Sequence, residues 1–173
     1  MLFLVRARLS TLVLMACGFV PMTALADSAF HPAQTPAELA LEKILRIADA
    51  DNNQLSNLLH RPYGRDGRVD YAQILTPALI AAITKQENGL VQKECGGKYK
   101  KDELCGLDYS PITCAQDSLP AYVYHTVLDL GGRVVVEYAW PPDNKKAATY
   151  TLLQDKSGWK IDGISCADGD KFH

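Results

Sequence analysis

From Thr35 onward, apolar and polar positions alternate first with a helical period and later with the period of strands. Thr35-Pro36-Ala37-Glu38 is a capping box with proline at the first helical position. Leu39, Leu41, Ile44, Leu45, Ile47 and Ala48 give the helix that follows a broad apolar face. The polar run Asp49 to Asn53 ends or interrupts it, and Leu55, Leu58 and Leu59 predict a further turn or two. Residues 61–70 read as a loop, followed by a short turn from Tyr71 to Leu75. Thr76-Pro77 repeats the cap-then-proline start, and the helix it opens passes through Leu79, Ile80, Ile83 and Thr84, with its end expected before Gly89. Beyond Ala121 the β-branched and aromatic residues predict strands over 122–130, 133–140, 147–154 and 159–166. Gly131-Gly132, Pro141-Pro142-Asp143-Asn144 and Asp155-Lys156-Ser157-Gly158 are the turns between them.

Helices first and strands afterwards predict an α+β fold, with N-terminal helices packed on a curved antiparallel meander sheet. Residues 89–120 form a long insertion between the two halves, holding three cysteines and two prolines. A structureless loop of that length calls for cross-links or a function to account for it.

Residues 1–26 have the three parts of a secretory signal: Arg6 and Arg8, an apolar run from Leu9 to Val20, and Ala24-Leu25-Ala26 before Asp27. The run is too short to span a bilayer, which takes about 20 apolar residues. Cleavage after Ala26 would release a periplasmic chain, residues 27–173, folding as one domain with no transmembrane segment. The alternative is a lipoprotein, because Leu14-Met15-Ala16-Cys17 resembles a lipobox that would anchor the chain through Cys17.

Composition adds to this picture in two places. Of 173 residues, 47% are hydrophobic and 22% charged, which is ordinary for a globular chain. The net charge is -2, and it becomes -4 when Arg6 and Arg8 leave with the signal, so nucleic acid is not expected as a partner. Of the five cysteines, Cys95, Cys105, Cys114 and Cys166 remain after export, an even number that reads as two disulfides. Three pairings are open. Closing the polar stretch between Cys95 and Cys105 is the first expected, which leaves Cys114 for Cys166. A free catalytic thiol is the competing reading.

Candidate chemistry is sparse. Asp49-Ala50-Asp51-Asn52-Asn53 begins like a calcium loop, but Gln54 stands where glycine is needed and His60 where a bidentate glutamate is needed. The cysteine spacing lacks the C-x-x-C and histidine pair of a zinc site. No G-x-S-x-G elbow and no glycine-rich phosphate cradle occurs. Neither a metal nor a cofactor is expected, and no catalytic residue is assigned. Contacts to a cavity or partner are expected from Tyr99, Asp117, Tyr122, His125, Tyr138 and Asp162. Tyr99 sits in a charged tip with Lys98, Lys100, Lys101, Asp102 and Glu103, while His125 shares a strand face with Val123 and Val127. Asp162 is expected on one face with Ile164 and Cys166, opposite Trp159 and Ile161.

Tyr150-Thr151-Leu152-Leu153, the turn at Lys156-Ser157-Gly158 and Trp159-Lys160-Ile161-Asp162-Gly163-Ile164 resemble the last hairpin of nuclear-transport-factor-2-like domains. Leu75-Thr76-Pro77 is similar to the helical half of that superfamily. Leu107-Asp108-Tyr109-Ser110-Pro111, with Gln116-Asp117 after it, resembles a narrower group, the domain of unknown function 3828 family of exported bacterial proteins. The resemblance implies a cone-shaped fold with a cavity between sheet and helices, on which isomerases, dehydratases and inert binding or immunity proteins all occur. The function expected is a periplasmic, non-catalytic module that binds an unknown protein partner, such as a toxin or an envelope enzyme. An envelope lipoprotein and a small-molecule enzyme using the cone cavity are the alternatives.

Overall fold

The computed structural model describes residues 30–60, 62–64, 68–100, 102–117 and 120–173. The signal segment and Cys17 lie outside the described residues, as do Arg61, residues 65–67 and Lys101. Four helices precede five strands: α1 (Pro36–Ala50), α2 (Gln54–His60), α3 (Tyr71–Ile74) and α4 (Pro77–Cys95), then β1 (Val123–Asp129), β2 (Arg133–Trp140), β3 (Lys145–Asp155), β4 (Gly158–Cys166) and β5 (Lys171–Phe172). This is the α+β arrangement read from the sequence.

Helix α1 starts where its capping box places it. The Thr35 side chain accepts the Glu38 N–H at 3.2 Å, and Glu38 Oε2 accepts the Thr35 and Gln34 N–H groups at 3.0 Å each. Its face of Ala37, Leu41, Ile44, Leu45 and Ala48 is buried. Asp51 closes it, the backbone N–H donating to Ala48.

Helix α4 departs from the sequence reading. It runs through Gly89 to Cys95 and ends at Gly96, whose φ of 67° lies in the left-handed region that glycine tolerates. Its buried positions are Leu79, Ile83, Glu87, Val91 and Cys95, one every fourth residue. That stripe, extended on both sides of Gly89, outweighs the cost of about 1 kcal/mol that an interior glycine imposes. The inserted segment therefore begins after Cys95.

The strands form one antiparallel sheet in the order β1-β2-β3-β4-β5. In β2 the residues Val134, Val136 and Tyr138 are buried, as are Ala148, Tyr150 and Leu152 in β3, so the alternation of a half-buried sheet holds. Leu41, Leu45, Tyr71, Leu79 and Ile83 from the helices join these residues in a single core. Three bulges break the register, at Val127, Ala147 and Asp162, where the strand gains a residue that its partner lacks. The bulge at Asp162 corrects the expected face. With one residue added, Ile161 and Ile164 both turn into the core, and Asp162 is left at the bulge. Strand β5, only two residues long, buries Phe172 beside Ile164 and was not anticipated.

The cysteines pair as Cys95–Cys105 and Cys114–Cys166, the first expectation from the sequence. The first closes the start of the inserted segment onto the end of α4, and the second ties its far part to β4.

Candidate functional site

A cleft of about 770 Å³ opens between the α1–α2 junction and the inserted segment. One wall comprises Ala48, Asp49 and Asp51 to Ser56 with Leu59 and His60; the other comprises Tyr99, Leu107 to Pro111, Thr113 and Ala115 to Asp117. It is not the cavity expected between sheet and helices. Tyr124, Tyr138 and Tyr150 are buried in that region, each with no exposed surface.

The helical wall is organised by Asp51, the residue that suggested a calcium loop. Its carboxylate accepts from the Tyr71 hydroxyl at 2.8 Å, from Asn57 Nδ2 at 2.9 Å and from the Asn53 N–H at 3.0 Å. It acts as a helix-ending hub, and burial together with the Asp51 hydrogen bond pushes the Tyr71 hydroxyl well above its usual range.

The opposite wall is held from four directions. Ser110 Oγ donates to Gln54 Oε1 at 2.7 Å and so joins the two walls. The Thr113 N–H donates to the Ser110 hydroxyl, and the Cys114 N–H donates to the Ser110 carbonyl, a tight turn that places Cys114 at φ 55°. Buried Tyr150 of β3 donates its hydroxyl to the Ile112 carbonyl at 2.7 Å. The disulfide to Cys166 completes the attachment.

Glu87, which the sequence reading missed, fixes the start of this wall from beneath. It has no exposed surface and accepts from the Tyr99 hydroxyl and the Leu107 N–H, each at 2.7 Å. Burial and the Glu87 carboxylate push the Tyr99 hydroxyl up to about 12. The available signal was its place in the every-fourth-residue stripe, where an apolar side chain would otherwise stand.

A second cleft, of about 630 Å³, adjoins the first and shares Asp108, Tyr109, Ala115, Gln116 and Asp117 with it. Trp140, Asp168 and Asp170 line its other side. Tyr109 donates its hydroxyl to Asp170 in a short hydrogen bond, bringing the C-terminal turn against the inserted segment.

The residues expected to make cavity or partner contacts divide into separate places. Tyr99 and Asp117 line the main cleft. Tyr122 and Tyr138 belong to the core under α1, their rings edge to face with centroids 5.5 Å apart and the Arg46 guanidinium 4.5 Å above Tyr122. Burial raises the Tyr138 hydroxyl, which accepts from the Trp140 indole. His125 lies with Glu137, at 3.8 Å, on the sheet face away from buried Tyr124. Asp162 accepts from the Thr76 hydroxyl at 3.0 Å and pins the start of α4 to β4. These groups do not converge on one surface. In the wall itself, Ser110 donates to an amide and not to an imidazole or carboxylate. Among the described residues, the one close group of metal-ligating types is Cys95, Glu103 and Cys105, where the two sulfurs are joined as a disulfide.

Comparison with family models, curated proteins and solved structures returned no match for the chain. In the inserted segment, Asp108, Tyr109, Gln116 and Asp117 line both clefts, while Leu107, Ser110 and Pro111 line the main one.

Proposed function

We propose that the protein is an exported, non-catalytic binding module that holds a polypeptide partner in the main cleft. Its cone-shaped, nuclear-transport-factor-2-like architecture and its likeness to the domain of unknown function 3828 family are part of this proposal. The observation behind it is the construction of the cleft. One wall is a stapled insertion, fastened by two disulfides, a buried carboxylate and a buried tyrosine. The hydrogen bonds described there hold shape, and none activates a nucleophile. Disulfides fit an oxidising compartment. No helix among the described residues is long and apolar enough to cross a membrane.

Immobilised protein, residues 27–173, is exposed to a periplasmic extract beside a Ser110→Ala/Tyr109→Ala variant that alters the wall of the main cleft. A partner retained by the first and lost by the second, with both folded by circular dichroism, supports the reading. Recovery of the same proteins by both, or of none by either, overturns it.

A further inference from the structure

The lining of the two clefts specifies the charge of what fits them. Asp49 and Asp51 line the main cleft, Asp168 and Asp170 line the second, and Asp108 and Asp117 stand on the rim between. Among the described residues, no lysine or arginine lines either cleft. Arg68 lines a separate hollow that meets the main cleft at Asn53, Ser56 and His60. Among the described residues, the side chains that donate to Asp51, Asp170 and Asp108 are neutral: the Tyr71 hydroxyl and Asn57 amide to Asp51, the Tyr109 hydroxyl to Asp170, and the Gln116 amide to Asp108 at 3.2 Å. Such bonds orient a carboxylate and leave its charge in place. After burial, the charges of Asp170, Asp168 and Asp108 push the Tyr109 hydroxyl further up. Alternating with the carboxylates are aromatic and apolar surfaces, Trp140 and Tyr109 in the second cleft and Leu55, Leu59 and Pro111 in the first.

Resting on the binding-module reading, we infer that the segment accepted by this double cleft is basic and amphipathic. Its lysine or arginine heads reach the shared rim of Asp108 and Asp117 and the Asp168–Asp170 side, and its apolar residues lie against Leu55, Leu59 and Pro111. A cation set between carboxylates and the faces of Trp140 and Tyr109 gains both Coulomb and cation–π attraction. A short stretch of partner chain with alternating charge and bulk satisfies both kinds of surface, whereas an acidic segment meets repulsion across the whole rim.

The probe is the hexapeptide acetyl-(Lys-Leu)₃-amide, titrated into ¹⁵N-labelled protein, residues 27–173, with acetyl-(Glu-Leu)₃-amide and calcium chloride as comparisons. The lysine peptide is expected to shift the amides of Tyr109, Gln116 and Asp117 and the Trp140 indole saturably, with affinity falling as salt rises. Asp117→Asn/Asp168→Asn should weaken it roughly three- to tenfold, as two partly exposed ion pairs allow. Asp129→Asn/Asp143→Asn, which removes the same charge elsewhere, should leave it unchanged. The inference is overturned if the lysine peptide gives no saturable shift, if both variants weaken it equally, or if calcium alone saturates these amides. Binding of the glutamate peptide at the same amides would overturn the charge assignment while leaving the binding-module reading standing. Failure of the extract capture with lysine-peptide binding intact would do the reverse.

Discussion

Glu87 and Gly106 occupy one space. A Cβ on residue 106 would lie inside the carboxylate of Glu87, and Gly106 holds φ at 82°. Helix α4 thus presents a buried carboxyl group to the one residue type that leaves room for it. Gly106→Ala must both adopt a disfavoured backbone and displace Glu87, at about 2–3 kcal/mol. Denaturant unfolding measures that loss. Glu87→Leu removes the hydrogen bond and the carboxylate but not the burial, so the Tyr99 hydroxyl should fall below about 12, read by ultraviolet titration.

The two disulfides should contribute unequally. Cys114–Cys166 closes a separation of 52 residues and Cys95–Cys105 one of 10. Chain entropy assigns about 4 kcal/mol to the first and about 3 kcal/mol to the second. Double serine variants should therefore rank in that order by midpoint of denaturant unfolding.

Glu38 should contribute to acid sensitivity. Burial raises its carboxyl, but the Thr35 and Gln34 N–H groups and the Thr126 hydroxyl more than offset this and hold it below 4.5. Its charged form is therefore favoured by folding. That stability is present above 4.5 and is lost as pH falls through the lower folded value. Glu38→Gln should cost about 1 kcal/mol at neutral pH, and the gap from the parent should shrink below about 4.5. Unfolding across an acid pH series checks the slope.

Tyr150→Phe should leave the buried Ile112 carbonyl without its donor and cost about 1–2 kcal/mol. Hydrogen exchange should quicken in residues 110–115 more than in the helices.

Periodicity made most of the fold legible, and it failed where one residue changed its meaning. Both capping starts, at Pro36 and Pro77, were readable because a hydroxyl followed by proline has few other uses. The end of α4 was not, because Gly89 looked like the close of an apolar stripe that in fact resumes at Val91 and Cys95. The faces of β4 were misread because a bulge is one extra residue and reverses every later position. Tyr99, expected from its charged tip, and Asp117, expected as a carboxylate beside a cavity, both line the main cleft. The bonds made by Gln54, Ser110 and Glu87 were not readable, since their partners lie 56 and 20 positions away in the chain. Tyr122, Tyr138 and His125 looked equally available in a linear reading, and only packing separates a core aromatic from a surface one.

Segment 96–117 is thereby a replaceable cartridge. Its shape is set at its attachments, by Glu87 beneath, by Cys95 and Cys166 at the sides and by Tyr150 behind. The tip residues Lys98, Lys100 and Leu104 are exposed and lie between those attachments. Substituting them leaves Glu87, both disulfides and Tyr150 in place, so the exposed tip can be changed without loosening the attachments that shape the cleft wall.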